Sequence, residues 1–179
     1  MTPKIMITNN GVHPSDRWAA MTASEICDLI QINETSASPE AIAARKAKPR
    51  LELDLADLLE TFHANVQKHE RELLAAHGDA HLVTPLDPSA GEVDTPQEVV
   101  AEIVKIAAKT PFGAHFALPQ VQEVVRGIVD HHFALSIDIE RSTWADKNPD
   151  SETAKAYRLA RNDHGPRLVH LHAAAPKAA

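Results

Sequence analysis

The segment LELDLADLLETFHANVQKHERELLAAH, residues 51–77, is the longest periodic stretch of the chain and decides its fold. At 100° per residue its apolar side chains recur at alternating steps of four and three, the pattern of an amphipathic helix with a heptad seam. The pattern predicts a long helix that ends at Gly78, because glycine commonly follows a helix C-terminus. We expect the seam to pack against another helix and take it as the candidate interaction surface. The residues of the seam are Leu55, Leu59, Phe62, Val66, His69 and Leu73.

The histidines of this segment raise the question of a metal centre. His63 and His77 share a second, mostly polar face, but they are fourteen residues apart, or about 21 Å along a helix. His69 lies alone on the seam, where a lone polar residue often fixes helix register. Zinc needs three or four ligands that converge on one point. The segment therefore predicts a structural helix with His69 partly buried, and no metal or other cofactor is predicted. The other members of the polar face are Glu60, Gln67 and Glu70.

Composition sets the fold class. The chain has 179 residues, of which 44% are hydrophobic and only 4% aromatic, so its core must consist largely of Leu, Ile, Val and Ala. Such a core favours helices. We predict a mostly α protein with minor β (α+β), with four or five helices around the long helix 51–77 and two or three short strands. The candidate strands are residues 4–8, 133–139 and 167–172.

Helix starts are marked by capping residues. Thr22 and Glu25 have the spacing of a capping box and predict a helix over residues 23–32. Thr95 begins a second box, with proline directly after it, and predicts a helix over residues 96–109. Two further N-cap candidates, each followed by a shorter predicted helix, are Ser38 and Ser151.

The period changes at residues 133–139. There Phe133, Leu135, Ile137 and Ile139 alternate with small or polar residues, and a period of two is typical of a half-buried strand. A helix that continues through these residues is the alternative interpretation.

Length favours a single domain over residues 1–179. The Pro-rich connection 82–95 suggests an alternative division into residues 1–81 and 96–172. Residues 173–179 form a tail with little to bury, and we expect them to be loosely held.

The net charge of −7 argues against nucleic acid as a partner, because duplex binding depends on a surplus of basic groups that neutralise phosphates. The chain has one basic cluster, in the stretch ARKAKPR. Such a cluster is typical of a solvated helix end, and contact with an acidic partner is the alternative. The cluster consists of Arg45, Lys46, Lys48 and Arg50.

The single cysteine, Cys27, cannot form an intrachain disulfide, and its apolar surroundings predict a packed thiol rather than a nucleophile. The N-terminal sequence lacks the apolar region of a signal peptide, and no apolar run approaches the ~20 residues of a membrane span. We expect a soluble protein that is cytoplasmic or assembled in a particle and has no membrane contact.

Function is constrained mainly by what the sequence lacks. No G-x-S-x-G, P-loop or G-x-G-x-x-G motif occurs, and no catalytic residue is predicted. We therefore expect a non-catalytic structural or assembly subunit that packs its helices against copies of itself or partner chains, with a phage or other multi-subunit particle as one setting. The alternative is a small metal-dependent hydrolase. Its candidate residues, which resemble the paired His-Asp elements of some metal phosphohydrolases, are Asp130, His131 and His132.

Overall fold

The computed structural model describes residues 14–82 and 93–164, and within these ranges all regular secondary structure is helical. The predicted mostly α class is confirmed, whereas the strand predicted at 133–139 is wrong. The strands predicted at 4–8 and 167–172 lie outside the described residues. None of the described helices is both long and apolar enough to cross a membrane. The helices are α1 Pro14–Cys27, α2 Pro39–His77, α3 Asp79–Leu82, α4 Pro96–Ala107, α5 Gly113–Phe116, α6 Pro119–Lys147 and α7 Glu152–His164.

Helix α2 is longer than the sequence predicted. The expected short helix before Pro49 and the long helix 51–77 form one continuous helix of 39 residues. Proline inside a helix removes one backbone hydrogen bond and disfavours the preceding turn, but the remaining hydrogen bonds of so long a helix can outweigh that local cost. The predicted end is confirmed, because Gly78 has a φ of 53° and its N–H donates to the carbonyl of Leu74 at 2.9 Å.

Most of the predicted N-caps are present. The Thr95 hydroxyl accepts a hydrogen bond from the N–H of Glu98 at 3.2 Å, and the Glu98 carboxylate accepts one from the N–H of Thr95 at 2.6 Å. This reciprocal pair fixes the start of α4. Ser38 and Ser151 are also N-caps, because the hydroxyl of each accepts a hydrogen bond from the backbone N–H three residues later.

The capping box predicted at Thr22 is wrong. Helix α1 already begins at Pro14, so Thr22 lies in its interior, where its hydroxyl donates to the carbonyl of Trp18 at 2.7 Å. A threonine inside a helix commonly bonds to the carbonyl four residues earlier. The helix also ends at Cys27 rather than at residue 32.

The alternation at 133–139 indicated a strand, but these residues belong to helix α6, which is buried on most of its sides here. Phe133 and Ile137 are buried as the strand pattern required, but Ser136 and Asp138, which the pattern assigned to the opposite side, are buried as well. When most faces of a helix are covered, an alternating sequence no longer reports the period of its backbone.

The chain forms two compact units. Among the described residues, the first unit contains 14–63 and 95–132, and the second contains 64–82, 93–94 and 133–164. Helices α2 and α6 each contribute one part to each unit. Both units therefore combine residues from the two sides of the Pro-rich connection.

Each unit has its own apolar interior. In the first unit α5 packs against α4, and buried leucine, isoleucine, valine and phenylalanine side chains come from α1, α2, α4, α5 and α6. In the second unit α3 packs against α7, and Trp144 lies against buried Ala145, Ala154 and Tyr157. The low aromatic content of the sequence is thus matched by largely aliphatic packing.

Candidate functional site

The predicted seam of α2 lies mostly inside the chain. Leu55, Leu59, Phe62 and Val66 are buried by other residues of the same chain, which makes them core residues. The remaining two positions of the seam, which are half-buried, are His69 and Leu73. Packing of this seam against a partner stays a prediction, and these last two residues are the part of it that has accessible surface.

Three residues of the polar face of α2, His63, Gln67 and Glu70, are also buried, although the sequence pattern placed them on a polar face. They recur at steps of four and three, and the next position of the series is the buried Leu74. Burial of polar side chains is costly unless they find hydrogen-bond partners. The hydrogen-bond partners of each of these side chains therefore decide how much its burial costs.

In the first unit, His63 is 0% exposed, and neither ring nitrogen has a hydrogen-bond partner among the described residues. Burial disfavours the imidazolium form, and the nearby charge of His132 disfavours it further, so the pKa of His63 is lowered to about 4. His63 is accordingly a neutral side chain near pH 7.

His132 is buried close to His63 and connects two helices of the first unit. Its Nε2 shares a hydrogen bond with Oε2 of Glu25 at 3.0 Å, which joins α6 to α1. Glu25, predicted as a capping residue, instead lies at the surface with its carboxylate against the buried imidazole.

The three residues of the hydrolase hypothesis do not converge. Asp130 is half-buried, His131 is exposed and His132 is buried, because consecutive residues of a helix point about 100° apart. The rings of His131 and His132 meet edge to face with their centroids 5.4 Å apart. Over residues 14–82 and 93–164, no three His, Cys, Asp or Glu side chains are grouped so that they could hold a metal ion.

In the second unit, Glu70 is the centre of a buried charge network. The Nε of Arg141 donates to Oε1 of Glu70 at 2.5 Å, and Nε2 of His81 lies 3.0 Å from Oε2. Glu70 is 0% exposed and the Arg141 side chain 1%. Burial by itself would raise the pKa of Glu70, but the hydrogen bond from His81 and the charge of Arg141 outweigh it and lower the pKa below its usual range.

A second network surrounds Asp138 in the same unit. The hydroxyl of Tyr157 donates to the Asp138 carboxylate, and Nε of Arg161 donates to Oδ2 at 2.8 Å. Burial raises the pKa of Tyr157, and its hydrogen bond to Asp138 raises that pKa further. The partners follow Asp138 by 19 and 23 residues, which explains why no local sequence signal revealed the network.

The basic cluster is partly engaged within the chain. Arg45 donates from Nη1 to the carbonyls of Asn33 and Ser36, both at 2.8 Å, and thereby holds the loop before α2. Arg50 forms an exposed ion pair with Asp54 at 3.0 Å. Two of the four basic side chains therefore serve the local structure.

Cys27 is buried, as the sequence predicted. Burial raises the pKa of its thiol to about 12, and the carboxylate of Glu52 adds to the shift. The thiolate, which is the nucleophilic form, is therefore negligible near neutral pH.

Large apolar side chains are exposed at a few helix positions and in one connection. Val124 on α6 is 49% exposed and Leu159 on α7 is 65% exposed. Single exposed apolar residues are ordinary, whereas neighbouring ones mark a contact surface. Leu118, which directly precedes α6 and lies six residues before Val124 in the chain, is also exposed. Among the described residues, the other large apolar side chains that are exposed are those of Met21 and Ile42.

Comparisons of the chain with protein-family models, with curated proteins and with solved structures found no match. The function of the protein is therefore inferred from its own residues. The features that bear on function are the enclosed polar groups of both units and the exposed apolar residues at the beginning of α6.

Proposed function

We propose that the protein is a non-catalytic assembly subunit, which packs its helices against copies of itself or against partner chains. The observation that carries this proposal is the exposure of two large apolar side chains at the beginning of α6: Val124 is 49% exposed, and Leu118, six residues earlier in the chain, is 41% exposed. Exposed apolar side chains gain free energy when a second protein removes them from water.

The enclosed polar groups support the same proposal. A general acid or base must come within hydrogen-bond distance of its substrate. Glu70 and Asp138 are buried, and their carboxylates are bound to side chains of the same chain. Their oxygens thus already accept hydrogen bonds from arginine side chains of the same chain.

The setting we propose is a multi-subunit particle, such as that of a phage, or an assembly in the cytoplasm. Nucleic acid is not a proposed partner, because the chain carries a net charge of −7 and Arg45 and Arg50 are paired internally. A protein partner with an apolar surface of its own fits the exposed side chains of α6 best.

The test is the molar mass of the chain in solution, measured by light scattering over a wide range of concentration. We expect the mass to rise above that of the monomer and expect Val124→Asp to prevent the rise, because the interface would then bury a charge. Leu159→Asp is the matched control, since Leu159 is also exposed but lies in the other unit. A chain that is monomeric at every concentration, and binds no partner when purified from its source, would overturn the proposal.

A metal analysis of the purified protein, prepared without a histidine tag, tests the alternative. We expect less than stoichiometric transition metal. A stoichiometric metal that is lost on substitution of His131 or His132 would favour the hydrolase hypothesis over an assembly subunit.

A further inference from the structure

One side of helix α2 carries charged groups of opposite sign before and after a leucine. Lys46 and Arg50 precede Leu53, and Asp57 and Glu60 follow it. At 100° per residue all five side chains fall within about 80° of one another, so they form a stripe along the helix. These five residues are the charged face of α2, and all of them belong to the first unit.

The charged face of α2 is accessible to solvent. Lys46, Arg50 and Asp57 are exposed, and Leu53 and Glu60 are half-buried. The three charged side chains other than Arg50 form no ion pair with any of the described residues. These charges are therefore available to another protein.

We propose that the charged face of α2 binds the same face of a second copy, in a two-fold pair whose α2 helices run antiparallel and cross at Leu53. The inference rests on the proposed function and names the surface and the partner. A two-fold pair uses one surface twice, so a residue before Leu53 meets the residue equally far beyond it on the other copy. Lys46 thus meets Glu60, since each is seven residues from Leu53, and Arg50 meets Asp57, which are three and four residues from it.

The order of the charges selects the antiparallel arrangement. A parallel two-fold pair would place Lys46 beside Lys46 and Asp57 beside Asp57, and like charges side by side repel. In the antiparallel pair every contact joins opposite charges. Arg50 and Asp57 also lie towards the same edge of the stripe, and the two-fold rotation brings like edges together. The four charges of the face sum to zero, so the face itself adds nothing to the repulsion between copies that each carry a net charge of −7.

This contact adds to the association through Val124 and does not replace it. Exposed ion pairs contribute little individually, and Arg50 already has such a pair with Asp54 at 3.0 Å in its own chain. Ile42, which lies three turns before Leu53 on the same side of α2 and is 38% exposed, extends the face with an apolar side chain. Two weak contacts on one subunit reinforce each other, because the second forms at a raised effective concentration once the first is made.

Charge reversal tests the pairing. Lys46→Glu places a carboxylate beside Glu60 of the other copy, and Glu60→Lys places an ammonium group beside Lys46, each at two symmetric positions. At low salt we expect either variant to weaken association about tenfold, measured by sedimentation equilibrium. The chain with both substitutions restores the pairs with exchanged signs, so it should associate as the native chain does. Salt at ~1 M, where the screening length is ~3 Å, should remove the differences between variants.

The controls separate charge and folding from pairing. Glu34→Lys changes the net charge as much as Glu60→Lys does, but Glu34 is exposed in the loop before α2 and outside the face, so this variant should not weaken association. Lysine and glutamate are both good helix formers, and the circular dichroism of every variant should therefore equal that of the native chain.

Cysteine cross-linking locates the two-fold axis. Cys27 is the only native cysteine and is buried, so Leu53→Cys introduces one accessible thiol. A disulfide requires α-carbons within about 7 Å of each other, which the two copies of residue 53 reach at the crossing point. Under mild oxidation we expect Leu53→Cys to form a covalent dimer. Leu58→Cys, which is also half-buried on α2 but about 140° around the helix, should not.

The outcomes distinguish this inference from the proposed function. A cross-link at residue 53, together with association that is lost in the single variants and restored in the double one, supports the inference. Association that Val124→Asp prevents but that neither charge reversal weakens overturns it and leaves an assembly subunit in place. Single reversals that weaken association without recovery in the double variant also overturn it, because the face would then meet a surface other than itself. A chain that is monomeric at all concentrations and captures no partner overturns both.

Discussion

His63 and Glu70 lie seven residues apart on one side of α2, and both are 0% exposed. They belong to different units and differ in their hydrogen-bond partners and in their charge. In the first unit, His63 has no hydrogen-bond partner among the described residues and is neutral. In the second unit, Glu70 has two partners and is charged. Burial alone therefore does not decide whether an ionisable group is charged. The partners supplied by other parts of the chain decide it.

The largest expected effect comes from removal of the partner that keeps Glu70 charged. Arg141→Met should destabilise the second unit by roughly 3–5 kcal/mol, because it leaves a buried carboxylate without its guanidinium. Urea unfolding in a Trp18→Phe background measures this, since Trp144 then reports on the second unit.

Arg71→Met is the matched control for Arg141→Met. It breaks the pair between Arg71 and Glu140, which are 3.2 Å apart with the arginine largely exposed, and should cost at most about 1 kcal/mol. Equal losses in the two variants would mean that Glu70 does not depend on its buried partner.

The next largest effect is the response of His63 to acid. Because its pKa falls from 6.5 in the unfolded chain to about 4 in the folded one, folding favours the neutral form. This contribution to stability is complete above pH 6.5 and decreases as the pH falls from 6.5 towards 4. Between pH 8 and pH 5 the first unit should lose about 2 kcal/mol. The measurement is urea unfolding followed by Trp18 fluorescence in a Trp144→Phe background.

Two comparisons test whether the loss of stability in acid comes from His63. His63→Leu should abolish the loss between pH 8 and pH 5, whereas His77→Leu should not, since His77 is exposed. Glu70 behaves differently, because its pKa is lowered: its contribution is complete above pH 4.5 and is lost only at lower pH. At pH 5 the free energy of unfolding reported by Trp144 should therefore have decreased much less than that reported by Trp18. Equal decreases would contradict the proposed difference between His63 and Glu70.

A smaller effect is expected at the start of α4. Thr95→Ala removes the hydroxyl that accepts from the N–H of Glu98 and should cost ~1 kcal/mol of the free energy of unfolding of the first unit. Glu98→Gln, which keeps a group able to accept from the N–H of Thr95, should cost only a few tenths. An unchanged thermal midpoint in Thr95→Ala would show that this box does not fix the helix start.

The smallest effect concerns Arg50. Its ion pair with Asp54 is exposed on both sides, so Arg50→Ala should change the free energy of unfolding by at most ~0.5 kcal/mol. Arg45→Ala should cost more in the same melts, because Arg45 bonds to two loop carbonyls. The reverse order would indicate that the loop before α2 does not depend on Arg45.

Features determined by neighbouring residues could be predicted from the sequence. The cap at Thr95 and the end of α2 at Gly78 depend on groups within four residues, so the local pattern contained the necessary information. The same holds for the burial of Leu55 and Leu59, which follows from helical periodicity.

Features determined by distant residues could not be predicted in this way. Asp138 looked like the solvent side of a strand, because its partners Tyr157 and Arg161 come from another helix. Glu70 and Arg141 are 71 residues apart, and a single sequence does not indicate that they pair.

The division of α2 between two units has a consequence during synthesis of the chain. The first unit needs residues up to 132, although its portion of α2 ends at residue 63. The leucines of that portion, Leu51, Leu55 and Leu59, therefore leave the ribosome roughly 70 residues before their unit can close. At about 5–20 residues per second, that delay is about 3–14 s. For that time a row of leucines has no completed core to enter, so a nascent chain stalled before residue 132 would be a substrate for chaperones and prone to aggregate.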